Sequence, residues 1–511
     1  MEGTQYTTKE EILKRAQEVK GIPLRDIDTT GRLSTGKGAI GTVIEESWFG
    51  YTPNSESEPD FPEAGVELKV TPYIRGRSGI RAKERLVCNI INYMEEYKKT
   101  FQTSAFWHKC NTMLLMSYEH IADKPKGDFK IDEAVLFSFP EEDLAIIEHD
   151  WQIIMEKVRA GKAHEISEGD TMYLAACTKG ANASSVRQQP FSTIMAKQRA
   201  YSLKSSYMTQ ILNKYIFGDI ESERVIKAVE QLRHYSFEEY VIDSLVPFYG
   251  ITVSQLRHKF NITSTAKNSN ELILAKMLSV DGKISQTEEF KKAGIIPKTI
   301  RVQKNGRIKE NMSFPTFDFI ELSKEDCWEE SEFYNYLAPT KFLFVIFHEQ
   351  DNDEYIFEKA MFWNIPNEDL EQVRIVWERT VKTIRNGVSL IQTSRGVSNN
   401  LPKQSENPVA HVRPHGKDGS DRLPLSDGRM MTKQCFWLNN TYIESQIGLS
   451  FTRRTVQTHS ETQKNERYDA LSPIGKVIVD AAEVVVNELS DKVYNKAMDV
   501  IEKISKKKNR K

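Results

Sequence analysis

The sequence predicts a mixed α+β protein of the α/β class in which one structural design occurs twice. Three observations support this prediction. Short apolar runs alternate with amphipathic helical stretches, an acidic motif recurs about 230 residues further along the chain, and a window of 22 residues recurs without a gap. A chain of 511 residues with 39% hydrophobic content is long enough to bury two or three separate cores.

The first acidic motif consists of Asp60, six intervening residues and then Glu67-Leu68-Lys69. Apolar and polar residues alternate around it, so a strand would place Glu67 and Lys69 on the same face. Two carboxylates and the Leu68 carbonyl are hard oxygen ligands that suit Mg²⁺, and a cation such as Lys69 can orient the nucleophile in phosphodiester hydrolysis. The motif predicts a metal site formed by Asp60, Glu67 and Leu68. The alternative is an ordinary surface strand with a weak Glu–Lys pair.

The second acidic motif keeps the framework of the first but not its chemistry. Glu289 and Lys298 stand at the positions of the first acid and of the lysine, whereas Ile296 replaces the second carboxylate. Pro297 lies within the corresponding strand, where it removes a backbone donor. The sequence therefore predicts one metal-dependent site in the first copy and none in the second.

The repeated window predicts a helix that begins after a proline. Its landmarks in the first copy, Pro140-Glu-Glu-Asp-Leu144, Trp151 and Arg159-Ala-Gly161, recur as Pro366-Asn-Glu-Asp-Leu370, Trp377 and Arg385-Asn-Gly387. Apolar residues at steps of three and four make this helix amphipathic, and two strand-like runs precede it in each copy. We predict a catalytic domain at 1–225, a paralogous domain at 232–450 without the catalytic glutamate, and a C-terminal extension at 451–511 with a helix and a basic tail.

The distribution of charge points to a polyanionic partner. The whole chain is nearly balanced, with 70 Lys and Arg against 72 Asp and Glu, but residues 171–218 contain six Lys or Arg and no acidic residue. Within this window Lys179, Asn182 and Arg187 occur near small residues that permit close approach to a DNA groove, where Arg or Lys can read guanine and Asn can read adenine.

The cysteines and the hydropathy pattern predict a cytoplasmic location and no membrane partner. Five widely separated cysteines show no zinc-site spacing, which fits a reducing compartment. The longest apolar runs, such as Phe342 to Phe347, are too short to span a bilayer.

Several motifs together resemble the MutH family of DNA mismatch-repair nicking enzymes and the two-domain type II restriction endonucleases of that family that cut at GATC. The motifs that resemble MutH lie in the first copy: Gly41, Phe49-Gly50, Pro59-Asp60-Phe61, Gly65-Val-Glu-Leu-Lys69 and Pro72. Those that extend the resemblance to the restriction enzymes are Glu84-Arg-Leu-Val, Asn89-Ile-Ile-Asn-Tyr93, His164-Glu-Ile-Ser-Glu-Gly169 and Thr178-Lys-Gly-Ala-Asn-Ala183.

The resemblance implies two tandem restriction-endonuclease-like (PD-ExK) domains that form a pseudo-dimer, each with a mixed central sheet flanked by helices. It implies Mg²⁺-dependent hydrolysis before the G of GATC, leaving 5′-phosphate and 3′-hydroxyl ends. Asp60, Glu67 and Lys69 would be catalytic, with a helix glutamate assisting. Counting forward from Gly41 selects Glu45 for that role and counting back from Gly50 selects Glu46; the prediction adopted is Glu46.

The resemblance also suggests DNA contacts outside the acidic motif. Lys109 matches a basic position near the family's active site, and Ser202, Lys204 and Tyr207 lie in a segment similar to its recognition loop. By analogy, the candidates in the second copy are Arg413, Lys417, Asn439 and Asn440. We expect this copy to bind a further GATC site as an effector and to support a DNA-bridged homodimer. The alternatives are a MutH-like repair nicking enzyme and a non-catalytic DNA-binding protein.

Overall fold

A computed structural model describes residues 6–448 except 35, 37, 53–57, 77–78, 181–184, 219–221, 228–231, 233–234, 264–268, 352 and 395. The described residues up to 437 form one compact unit, and residues 438–448 belong to a second. The predicted extension at 451–511 lies outside the described residues, and the predicted domain boundaries stay predictions.

The first half of the chain contains seven α-helices and nine strands among the described residues. The helices are α1 (Lys9–Glu18), α2 (Leu24–Ile27), α3 (Ala39–Val43), α4 (Tyr93–Glu96), α5 (Ala105–Cys110), α6 (Glu141–Arg159) and α7 (Ser205–Ile211). The strands are β1 (Glu67–Gly76), β2 (Gly79–Ala82), β3 (Leu86–Ile90), β4 (Thr112–Glu119), β5 (Glu133–Ser138), β6 (Leu174–Thr178), β7 (Val186–Gln189), β8 (Ser192–Lys197) and β9 (Arg199–Leu203).

The second half has a similar set of elements. The helices are α8 (Phe237–Leu245), α9 (Val253–Lys259), α10 (Ser269–Met277), α11 (Glu288–Ala293), α12 (Phe319–Lys324), α13 (Glu332–Leu337) and α14 (Asn367–Arg385). The strands are β10 (Ile295–Val302), β11 (Met312–Phe317), β12 (Lys341–Glu349), β13 (Tyr355–Trp363), β14 (Leu390–Thr393), β15 (Gly396–Asn399), β16 (Ala410–Pro414), β17 (Arg422–Pro424), β18 (Met430–Thr432) and β19 (Gln434–Leu438). The predicted mixed α+β class is confirmed.

The main sheets of the two halves share the order and direction of three strands, and the first sheet has one additional strand at its edge. The first is β2-β1-β4-β5, in which β1 runs parallel to β4 and β4 antiparallel to β5. The second is β10-β12-β13, again with one parallel and one antiparallel pair. A smaller sheet accompanies each, β3-β9-β6 in the first half and β11-β19-β16 in the second. Each half therefore has a mixed sheet, as predicted.

The central strand β4 is buried on both faces, which explains its continuous apolar sequence. Leu114 and Met116 pack into a core with the N-terminal helices, whereas Met113 and Leu115 pack into a core that includes Trp151 of α6. The predicted helices α6 and α14 are both 19 residues long and begin after a proline. No described helix is long and apolar enough to cross a bilayer.

Candidate active site

A tight turn before β1 explains the spacing between Asp60 and Glu67. Phe61 and Val66 bond to each other through their backbones, with N–O distances of 2.9 and 3.2 Å, around a short 3₁₀ turn. Gly65 closes the turn at φ 62°, a left-handed conformation that glycine adopts without steric cost. The six-residue spacing therefore brings the first acid back against the start of β1.

Asp60 and Glu67 are held together by reciprocal hydrogen bonds to the backbone. The Leu68 N–H donates to Oδ2 of Asp60 at 2.9 Å, and the Asp60 N–H donates to Oε2 of Glu67 at 3.2 Å. Glu67 is buried and Asp60 is half-buried. These bonds fix the two carboxylates side by side before any ligand is present.

Two lysines contact the buried carboxylate of Glu67. Lys69 Nζ lies 2.6 Å from Oε1, and Lys109 Nζ, from helix α5, lies 3.6 Å from Oε2. Lys109 also donates to the carbonyl of Glu58 at 3.1 Å, which links α5 to the chain just before the acidic motif. The structure thus brings the predicted Asp60, Glu67, Lys69 and Lys109 to one place.

The pKa values of the buried pair reflect opposing effects. Burial raises the pKa of Glu67 above its usual range, and the charge of Lys69 opposes this shift without cancelling it. Burial acts to lower the pKa of Lys69, but the neighbouring Glu67 outweighs it and the pKa is raised. Lys69 therefore remains a cation at neutral pH, available to orient an anionic or polar group.

Glu45, and not the predicted Glu46, faces the acidic pair. Burial, followed by the charges of Asp60 and Glu67, raises the pKa of Glu45 to about 7. Glu46 instead binds Arg32, with Nη2–Oε1 and Nε–Oε2 distances of 2.8 and 3.0 Å. These hydrogen bonds with Arg32 lower the pKa of Glu46. The structure therefore contradicts the choice of Glu46, and Glu45 becomes the candidate for the helix carboxylate.

The donor set fits a hard divalent cation. Glu45, Asp60 and Glu67 supply carboxylate oxygens, and Leu68 lies in the strand between Glu67 and Lys69. Burial raises the pKa of Glu45, and repulsion from Asp60 and Glu67 adds to this shift; a bound cation would offset that repulsion. Among the described residues, no group of three or more His, Cys, Asp or Glu side chains forms a ready metal-ion site.

The residues of the second copy that stand at the positions of Asp60 and Lys69 have structural roles. Glu289 is buried and accepts hydrogen bonds from the backbone of Val225 and Ile226 at 2.9 and 3.1 Å, so it fixes the segment that joins the halves. Burial lowers the pKa of Lys298, which has no carboxylate at the Ile296 position to oppose this shift. The second copy therefore has no carboxylate at the position that corresponds to Glu67.

Three of the predicted DNA contacts are buried. Ser202, Lys204 and Tyr207 are each at most 3% exposed. Lys204 donates to the carbonyls of Thr171 and Pro339 at 2.5 and 2.8 Å, and Tyr207 donates to Asp143 at 2.9 Å. Burial and the charge of Lys341 lower the pKa of Lys204 to about 7. Lys204 joins the halves through Pro339, whereas Ser202 and Tyr207 are buried within the first half, so burial contradicts the prediction that these three side chains contact bases.

The remaining candidates have different environments. Lys179 is exposed and Arg187 half-buried, while Asn182 lies outside the described residues. In the second half Arg413 and Lys417 are exposed, and the Arg413 guanidinium lies 5.8 Å from the centre of the Trp437 ring. Asn439 is buried and Asn440 half-buried at the start of the helical segment 440–448.

Comparison with known proteins relates both the site and the whole chain to nucleases. The family model described as DNA mismatch repair enzyme MutH matches residues 49–150, which include Asp60, Glu67, Lys69 and Lys109. The DNA mismatch repair protein MutH of Shewanella woodyi is 30% identical over 216 residues, 40% of this chain and 92% of that protein. The MutH protein of Shewanella oneidensis is 30% identical over 217 residues, 41% of this chain and 95% of that protein.

The fold and the site thus define a nuclease of the MutH class. The type II restriction enzyme Sau3AI of Staphylococcus aureus is 39% identical over 484 residues, which cover 86% of this chain and 99% of that enzyme. The chain belongs to the family of MutH-like type II restriction enzymes.

Proposed function

We propose that this protein hydrolyses double-stranded DNA at GATC with Mg²⁺ as cofactor, cutting 5′ of the G to leave 5′-phosphate and 3′-hydroxyl ends. The observation that carries the proposal is the cluster of Glu45, Asp60, Glu67, Lys69 and Lys109 in the first half. The similarity to Sau3AI across nearly the whole of that enzyme supports a restriction activity rather than a repair role. Five free cysteines, one of them exposed, support action in a reducing cytoplasm.

Asp60 and Glu67 would hold the cation, together with the Leu68 carbonyl, and Glu45 would complete the acidic side of the site. When bound, the cation supplies charge neutralisation at the phosphate and lowers the pKa of a coordinated water. Lys69 remains protonated and orients the attacking oxygen, because its Nζ is held 2.6 Å from Glu67. Lys109 holds the other Glu67 oxygen and keeps that carboxylate from rotating away.

Digestion of a supercoiled plasmid with several GATC sites tests the proposal. The purified chain with Mg²⁺ should yield fragments whose 5′ ends map to the G of GATC, and a chelator should stop the reaction. Nicked circles as the final product would instead indicate a strand-nicking enzyme, and retarded but uncut plasmid would indicate a DNA-binding protein without catalysis.

We further propose that the second half binds another GATC duplex as an effector and stabilises a DNA-bridged homodimer. The shared strand order of the main sheets and the exposed cations Arg413 and Lys417 support this role. An added GATC oligonucleotide should accelerate cleavage of a single-site plasmid. The full-length double variant Arg413→Ala/Lys417→Ala should lose that acceleration, and equal stimulation of both proteins would contradict the proposal.

A further inference from the structure

The β7–β8 hairpin exposes apolar side chains that have no role in the sites described above. Phe191 is 71% exposed, Ile194 55% and Met195 46%. Ile194 and Met195 are consecutive residues of β8, so they point to opposite faces of the strand. Exposure of both means that this part of the hairpin projects from the surface with its two faces open.

The hairpin is firmly attached at its base. The Gln189 side chain accepts from the Ala163 N–H at 2.7 Å and donates to the Ile194 carbonyl at 2.6 Å, and Ala196 is buried. At the turn, Phe191 has φ 60°, a conformation that bulky residues rarely adopt. The hairpin backbone is therefore held in place at its base, which lowers the entropic cost of binding.

All charged residues of the segment 171–218, which contains the hairpin, are cationic, whereas Glu95, Glu96 and Glu165 lie in the helical segments that pack against the hairpin. Of the six cations in residues 171–218, Arg199 and Lys204 are buried and Lys214 pairs with Glu288 at 3.6 Å. The other three, Lys179, Arg187 and Lys197, lie on the hairpin or just before it and form no ion pair with a described residue. Exposed apolar side chains flanked by cations of the same segment complement a polyanion with an apolar interior.

One segment connects the hairpin to the active site. Tyr93 of α4 donates its hydroxyl to the Lys197 carbonyl at 2.8 Å, and the Tyr97 ring lies 5.4 Å from that of Phe191. The same segment continues into α5, whose Lys109 contacts Glu67. The hairpin is thus supported by the segment that also carries an active-site lysine.

We propose that the β7–β8 hairpin enters a groove of the substrate duplex, where Ile194 and Met195 pack against base edges and deoxyribose while Lys179, Arg187 and Lys197 contact phosphates. This inference rests on the proposed function. The major groove admits a two-stranded ribbon and offers the thymine methyl group as an apolar contact. Two or three exposed side chains are too small an area for a stable protein dimer, which favours DNA as the occupant.

Salt-dependent binding separates the two kinds of contact. In the full-length protein with Ca²⁺ in place of Mg²⁺, Ile194→Ala/Met195→Ala should weaken binding to a GATC duplex by about tenfold. The slope of log affinity against log salt should stay unchanged, because no phosphate contact is lost. Lys197→Ala should instead reduce that slope by about 1. Ile375→Ala, an exposed apolar residue of α14, is the matched control and should bind as the parent does.

Three results would overturn the proposal. Parental affinity in the double variant would exclude apolar contact with DNA. Unchanged affinity with a lower sedimentation coefficient would show that the hairpin joins two copies of the chain. An equal loss in Ile375→Ala would show a non-specific effect. A parent protein that neither binds nor cuts GATC duplexes would refute the proposed function itself, which the parental measurement detects before any variant is compared.

Discussion

A π-helical turn determines which of two adjacent glutamates faces the active site. Residues Ile44–Trp48 form this turn, and the Phe49 N–H donates to the Ile44 carbonyl at 3.1 Å, five residues back. The wider turn holds one residue more than an α-helical turn, so counting from Gly41 and counting from Gly50 give different glutamates. Sequence periodicity assumes a uniform helix and could not resolve the choice.

Other site residues were predictable because their geometry is local. Asp60, Glu67 and Lys69 lie in one turn and one strand, so alternation alone indicated a shared face. Lys204 and Tyr207 were misassigned because their burial depends on contacts with distant residues, such as the Pro339 carbonyl. The sequence predicts that a lysine in a basic window is exposed, and only the tertiary structure identifies the carbonyls that bind it in the interior.

Adjacent substitutions test the assignment of Glu45. Glu45→Gln should lower the rate of GATC cleavage by roughly 10–100-fold, because it removes a charge next to the metal ligands. Glu46→Gln should cleave within about twofold of the parent rate, because its carboxylate is held by Arg32 away from the acidic pair. Single-turnover rates on a short duplex give this comparison, and the reverse ranking would restore Glu46 to the site.

The pH dependence of stability tests the charge on Glu45. Its pKa rises from 4.5 to about 7 on folding, so the unfolded carboxyl is the stronger acid. The contribution of Glu45 to the free energy of unfolding is fully present below pH 4.5 and is lost as the pH rises towards and through 7. Without a divalent cation, the melting temperature should fall more between pH 6 and pH 8 in the parent than in Glu45→Gln. Mg²⁺ should reduce this difference, and parallel pH profiles in its absence would contradict the assignment.

At the scale of elements, the repeated landmarks have repeated structural roles. Arg159 at the end of α6 donates to the carbonyls of Tyr97 and Lys99, and Arg385 at the end of α14 donates to those of Ser323 and Glu325. The helices were predictable because periodicity, proline and arginine all lie in one window. The small sheets were not, because β3 pairs with β9 across more than 100 residues and no local signal specifies that register.

The helix α11 connects the halves through a buried ion pair. Lys292 contacts both oxygens of Asp143 in α6 at 2.6 and 2.8 Å, and both residues are 2% exposed. Asp143 also accepts from the Tyr207 hydroxyl. Removal of Lys292 leaves the buried Asp143 carboxylate without its ionic partner.

Lys292→Ala should therefore lower the free energy of unfolding by about 3–5 kcal/mol. The neighbouring Lys291→Ala should cost less than about 1 kcal/mol, because Lys291 is half-buried and its side chain bonds to the Ser222 hydroxyl and to no carboxylate of the described residues. Urea unfolding followed by circular dichroism gives both values. Equal losses of unfolding free energy in the two variants would contradict a stabilising role of the buried ion pair.

For the whole molecule, the corresponding strands of the two main sheets pair in the same register, but only the first sheet carries the glutamate of the acidic motif. In the first sheet, Glu67 lies opposite Met113, which lies opposite Phe137. In the second sheet, Ile296 lies opposite Phe342, which lies opposite Trp363. The duplication was readable from the sequence because these landmarks keep their spacing. The contacts that join the halves were not readable, because they involve pairs such as Lys292 and Asp143 that have no repeat signature.

The central claim is that the first half alone performs hydrolysis, and the two equivalent lysines test it most directly. Lys69→Met and Lys298→Met should be compared in the full-length protein by the initial rate of GATC plasmid cleavage with Mg²⁺. Lys69→Met should abolish cleavage, whereas Lys298→Met should cut at close to the parent rate because its strand carries Ile296 in place of the glutamate. Normal cleavage by Lys69→Met, or complete loss in a folded Lys298→Met protein, would contradict the account.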